Sequence, residues 1–131
     1  MLVDGDDHNE PIADAARSIL DGHIVLDRAI AERGRYPAVN VLRSVSRTMP
    51  ACNSDKENEV VNQARRYLAA YENMAEMIRL GAYRKGANRE VDEAIDLYGP
   101  LEEFLRQDKD ERADLASGYA GLAQILGVEW A

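Results

Sequence analysis

One amphipathic run in the middle of the chain limits the fold more than any other feature. From Ser54 to Leu80 there is neither glycine nor proline. Val60, Val61, Ala64, Tyr67, Leu68, Tyr71, Met74, Ala75 and Ile78 recur there at helical spacing, which puts them in one stripe of a long helix. Ser54, with Glu57 three residues on, forms a capping-box pattern. The serine oxygen accepts from one orphan N–H and the glutamate reaches back to another. Gly81 follows and stops the run. Downstream, "REVDEAIDLY" turns Val91, Ala94, Ile95 and Tyr98 inward, and Gly99-Pro100 is expected to break the chain before "PLEEFLRQ". "DKDERAD" reads as a charged turn leading into a last helix marked by Leu115, Tyr119, Leu122 and Leu126, with Gly127 past its end. This part is a small helical bundle.

The first third has a different texture. "NEPIADAARSILDG" predicts a helix with Pro11 near its first position, where the missing N–H costs nothing. Its apolar face is Ile12, Ala15, Ala16, Ile19 and Leu20, and Gly22 is expected to close it in a left-handed conformation. "HIVLD" suits a buried strand. "DRAIAERG" predicts a short helix capped by Asp27 and stopped at Gly34. Pro37 disfavours helix at Tyr36, so "YPAVNVLRSVSR" should be extended. The texture changes between Pro50 and Ser54, which divides the chain into residues 1–50 and 51–131, and no internal repeat is visible. "LV" at positions 2–3 reads as the tail of a strand begun upstream, so Met1 is taken as an imposed start of a piece cut from a longer chain.

Composition removes several function classes. The chain has 131 residues, 46% of them apolar, and a formal net charge of −8. Clustered cations for nucleic-acid phosphates or anionic lipid are missing from such a balance. The single Cys52 permits no internal disulfide and fits a cytosolic setting. No apolar run approaches the roughly 20 residues that span a bilayer, and "MLVDGDDHNEP" has no signal-peptide pattern.

The motifs are mostly bland. No glycine is followed by lysine, so the glycine-rich loop that holds nucleotide phosphates is absent. "IVLD" imitates a magnesium-holding strand and aspartate, but Asp27 reads better as a helix cap. "DGDDHNEP" has glycine second rather than sixth, which suits a solvated turn better than a calcium loop. His8 and His23 lack partners at zinc spacing, and Cys52 has no nucleophile signature. The acidic stretch 102–114 is a solvated face. Tyr67, Tyr71, Tyr98 and Tyr119 lie on apolar stripes and belong to the core. Tyr36 and Tyr83 lie in loops, where function concentrates.

"DGHIVLDRAIAERGRYPAVNVLRSVSRTMP", "GDDHNEPIADAARSILDGHIVL", "NMAEMIRLGAYRKGANREVDEAI" and "LEEFLRQDKDE" together resemble the rotary ATPase superfamily. More narrowly, the chain is similar to the flagellum-specific ATP synthases, the hexameric ATPases of flagellar type III protein export. The resemblance implies a mainly α chain. Its C-terminal helical bundle (51–131) follows a truncated remnant, a helix plus short strands, of a RecA-like α/β nucleotide-binding domain (1–50). The barrel, phosphate loop, magnesium aspartate and catalytic glutamate segments of the family are missing.

The resemblance also implies roles. Arg47 in "SVSR" matches the arginine finger that reaches a neighbouring subunit's γ-phosphate. Tyr36 in "RYPAV" matches the aromatic residue that packs on adenine, and Tyr83 falls where the helical domain approaches the same base. The plainer alternatives are a carboxylate partner for Arg47 and packing against Pro or Leu for both tyrosines. ATP and Mg2+ would serve the parent protein, with none expected on this piece, which alone should be inactive. Expected partners are a homohexamer, the coiled-coil stalk protein, export chaperones and the export gate, at the cytoplasmic side of a bacterial flagellar export apparatus. Nucleic acid is not expected as a partner, and the protein should not be integral to the membrane. An autonomous helical protein-interaction module with no catalytic role is the alternative, and the strand-like start at Leu2-Val3 argues against it.

Overall fold

Helix α3 (Asp55–Arg79) is the spine of the structure. The structure is a computed structural model that describes residues 5, 7 and 9–130. Leu2, Val3 and His8, expected from sequence to form a strand tail and a solvated turn, lie outside the described residues. The capping box forms as expected. Ser54 Oγ accepts from Glu57 N–H at 3.3 Å, and the Glu57 carboxylate accepts from Ser54 N–H at 2.7 Å. The run stops at Gly81, whose φ of 71° needs a residue without Cβ.

Two more helices pack on this spine, α4 (Arg89–Leu105) and α5 (Leu115–Leu126), and also on one another. The core is Ala64, Leu68 and Leu101, with Leu97, Leu105, Leu122, Ile125 and Leu126 around it. Tyr71 stacks on Tyr98 with ring centroids 3.6 Å apart. Asn88 caps α4 by accepting from Glu90 and Val91 N–H, and Asp114 caps α5 by accepting from Ser117 N–H at 2.7 Å. Gly121 lets the Phe104 ring approach α5 closely, since a Cβ there would lie 3.3 Å from Phe104 Cε2.

The expected break at Gly99-Pro100 does not occur, because α4 runs through it. Gly99 and Pro100 face solvent, where water can answer the carbonyl that proline leaves without a donor. Val91, Ala94 and Leu101 are buried on the other side, and their burial outweighs a local penalty of about 3 kcal/mol for proline inside a helix.

The first part holds α1 (Pro11–Ile19), β1 (Gly22–His23), α2 (Arg28–Glu32) and β2 (Val45–Ser46). The strands pair antiparallel, Gly22 opposite Ser46 and His23 opposite Val45, and a further bridge joins Leu26 to Val39. Two expectations change here. "HIVLD" is not a buried strand throughout: Val25 is buried, while Ile24 and Leu26 are 74% and 64% exposed. The apolar face of α1 is open, with Ile12 and Ile19 72% and 79% exposed. Gly22 does not close α1 in a left-handed conformation. It lies in β1, where a Cβ would sit 2.7 Å from the Val45 carbonyl oxygen, so close strand approach is what requires glycine.

Pro100→Ala should restore the missing donor without disturbing the buried side of α4. The expected result is unchanged helix content by circular dichroism and a gain of up to about 3 kcal/mol in urea unfolding. A loss of helicity or stability would show that the proline shapes the helix.

Candidate functional site

The segment between α2 and β2 is held by side chains whose partners lie far along the sequence. Asn40 organises it. Its N–H donates to Val25 O at 2.8 Å, its Nδ2 to Asp27 Oδ2 at 3.2 Å, and its Oδ1 accepts from Arg43 N–H at 3.2 Å. Asp27 spends its other oxygen on Ala29 N–H at 3.0 Å, the cap expected from the sequence. The turn after Asn40 pushes Val41 and Leu42 against the bundle core. Arg65 of α3 donates to both of their carbonyl oxygens, at 3.0 and 3.2 Å.

Two arginines of "AERGRYP" complete the junction. Arg33 Nη1 donates to Tyr98 Oη at 2.9 Å. Arg35 is only 5% exposed. Its Nη1 and Nη2 donate to the carbonyls of Pro37 and Val39 at 3.4 and 3.1 Å. Its Nε lies 3.0 Å from Glu102 Oε2 of α4, an ion pair in which the N–H is not well aimed at the oxygen. Sequence reasoning missed Arg33, Arg35, Arg65 and Glu102. Their partners are tens of residues away, and no local pattern marks such pairs.

Among the residues singled out from sequence, Tyr36 stands beside this junction. Its ring side is open, the residue being 59% exposed, while its carbonyl accepts from Gln107 N–H at 2.9 Å. Arg47 lies elsewhere, against the end of α1. Its N–H donates to Asp21 O at 2.7 Å and its Nη2 to Ser18 O at 3.0 Å. Arg47 is exposed and, among the described residues, makes no ion pair, so the carboxylate partner of the plainer reading is not there.

Tyr83 is bonded at the start of α4. Its hydroxyl donates to Asp92 Oδ1 at 2.7 Å and accepts from Asn88 N–H at 3.3 Å, at the N-terminus of α4. Tyr36 meets the chain just past the C-terminus of that helix. Burial and then the Asp92 hydrogen bond raise the Tyr83 hydroxyl above its ordinary pKa. The Tyr83 hydroxyl latches its own loop, and Gly86 N–H adds a 2.9 Å bond to the other Asp92 oxygen.

An apolar cleft of about 330 Å³ opens where β1 and β2 meet the bundle, lined by His23, Val41, Val45, Val61, Leu101 and Phe104 among others. Its wall suits hydrocarbon, not phosphate. Among the described residues no three His, Cys, Asp or Glu side chains converge to hold a metal, and no helix is long and apolar enough to cross a membrane.

A family model for the T3SS EscN ATPase C-terminal domain matches residues 53–124, and one for the nucleotide-binding domain of the ATP synthase alpha/beta family matches residues 1–46. The chain belongs to the EscN-type ATPase C-terminal domain family. It is 59% identical over 130 residues to the flagellum-specific ATP synthase of Caulobacter vibrioides, covering 99% of this chain and 29% of that protein. It is 50% identical to the Bacillus subtilis protein of the same name, covering 98% of this chain and 30% of that one. The SPI-2 type 3 secretion system ATPase of Salmonella typhimurium is 50% identical over 111 residues, 85% of this chain and 26% of that protein. Among solved structures, the assembled ATPase EscN of the enteropathogenic E. coli type III secretion system superposes with a TM-score of 0.91 at 32% identity, over 96% of this chain and 31% of that chain. EscN in complex with its central stalk EscO superposes with a TM-score of 0.82 at 32% identity, over 88% of this chain and 29% of that chain. The chain therefore spans about three tenths of the length of these relatives. It has the mainly α fold expected, a helical bundle behind a short α/β segment.

Within this family fold, α3 and α4 are also joined by Tyr67, which donates to Glu93 Oε2 at 2.9 Å. That bond first, and the Arg89 guanidinium second, hold the Glu93 carboxyl below its ordinary value of 4.5. A depressed carboxyl contributes stability that is present above that value and lost as pH falls through the lower folded one. Glu93→Gln should flatten the fall of melting temperature below pH 4.5. Identical acid slopes for the two proteins would remove Glu93 from the account.

Proposed function

We propose that this chain is the C-terminal part of a hexameric ATPase that energises flagellar type III protein export, converting ATP and water to ADP and phosphate. The observation that carries this reading is the identity of 59% and 50% to two flagellum-specific ATP synthases across nearly the whole chain. Type 3 secretion system ATPases match at 50% over 85% of the chain or at 42% over 95% of it, below those two flagellar proteins, which favours the flagellar system.

In this reading residues 1–50 end a RecA-like ATPase domain and residues 51–131 form the helical domain. The apolar side chains left open on α1 and at Ile24 and Leu26 are those that the remainder of such a domain would cover. Tyr36 packs its exposed ring on the adenine of its own subunit's ATP. Arg47 reaches the site of the adjacent subunit, where its fixed, planar charge offsets the negative charge that develops on the γ-phosphate. Mg2+ and the phosphates belong to a loop that this chain does not contain, so residues 1–131 alone hydrolyse no ATP. The helical domain faces the coiled-coil stalk, export chaperones and the export gate, and the assembly works in the bacterial cytoplasm at the membrane without entering it.

In the full-length hexamer, Arg47→Ala should leave nucleotide binding near normal and lower turnover by about 10³-fold or more. Steady-state phosphate release measures this, and normal turnover by the variant would sink the finger role. Tyr36→Ala should weaken nucleotide affinity with the hexamer intact. An unchanged titration with a fluorescent ATP analogue would reject adenine packing.

A further inference from the structure

Tyr36 is an exposed ring on a backbone that the bundle grips tightly. One contact comes from the bundle and two from the neighbouring Arg35. The Tyr36 carbonyl accepts from Gln107 N–H, and the Pro37 and Val39 carbonyls accept from the Arg35 guanidinium. Arg35 is buried and its charge is answered by Glu102 on α4. A buried guanidinium is costly unless an opposite charge balances it, and here Glu102 supplies that charge although the Nε–H is not well aimed at it. The orientation of Arg35, and with it the path of residues 36–39, therefore depends on a carboxylate of the helical domain.

From this we infer that Glu102, acting through Arg35, is a positioning residue for Tyr36. It sets the fraction of molecules in which the ring stands ready to pack on the base. The inference rests on the adenine-packing role given to Tyr36 above. A ring on a loosened corner must be ordered at the moment of binding, which costs affinity. Apparent affinity falls in proportion to the binding-competent fraction. Because Glu102 belongs to α4, any tilt of the bundle that lengthens the 3.0 Å contact with Arg35 also loosens the Tyr36 corner. Glu102 thereby passes bundle movement to nucleotide affinity, and Arg33, bonded to Tyr98 one turn before Glu102, guides the same face of α4.

The test uses the full-length ATPase carrying this chain, with equilibrium binding of a fluorescent ATP analogue and steady-state hydrolysis. Glu102→Gln keeps the shape and removes the charge. It should weaken nucleotide binding and raise KM roughly fivefold to tenfold, while kcat at saturating ATP stays within about twofold. Arg35→Lys keeps the charge opposite Glu102 but cannot fork to two carbonyls, and should raise KM similarly. The double variant Tyr36→Ala with Glu102→Gln should bind no more weakly than Tyr36→Ala alone, because the ring through which Glu102 acts is gone. A lowered melting temperature with unchanged affinity in Glu102→Gln would make the contact a structural clamp and overturn the inference, as would additive losses in the double variant. Unchanged affinity in Tyr36→Ala alone would instead overturn the adenine role itself, and this inference with it.

Discussion

The junction between the short α/β segment and the bundle depends on Val41 and Leu42 entering the bundle core with their carbonyls answered. Burying two apolar side chains drags two carbonyl oxygens out of water, and an unanswered one costs about 1–3 kcal/mol. Arg65 donates to both oxygens from α3. The apolar gain is then kept, and the turn from Asn40 to Ser44 is locked to the spine. Asn40 meets the same condition on the other side of the turn by joining it to Val25 and Asp27.

Arg35 extends this arrangement with a higher stake. A guanidinium 5% exposed is costly unless its charge and donors are matched, and here the matching groups come from both parts of the chain. Arg65, Arg35 and Arg33 thus act alike, since each reaches across the junction from one part to a backbone or side-chain oxygen of the other. The exposed Arg47 differs in kind. It donates to the Ser18 carbonyl of α1, and among the described residues no carboxylate pairs with it.

The bundle was readable because its information is local. Ser54 and Glu57, the period of the α3 stripe and the glycines at 81 and 127 each act within a few residues. Pro100 misled for the same reason. Local rules read it as a break, while the burial of Leu101, which depends on α3 and α5, kept the helix whole. Ile24 and Leu26 were read as buried because an apolar run tells that it should be covered, not by what. Tyr36 and Arg47 were singled out through resemblance alone, and spacing gave no sign that Tyr83 latches its own loop at the start of α4.

By itself the sequence determined the helices, their caps, the change of texture near Pro50 and the absence of a phosphate-holding loop, since each is set by neighbours in the chain or by composition. Tertiary structure alone decided which arginines hold the two parts together, that α4 passes through Gly99-Pro100, and that Tyr83 bonds Asp92. Those outcomes depend on burial and on partners distant in sequence. The energy of a buried charge or carbonyl is settled only when the groups that answer it have been brought beside it.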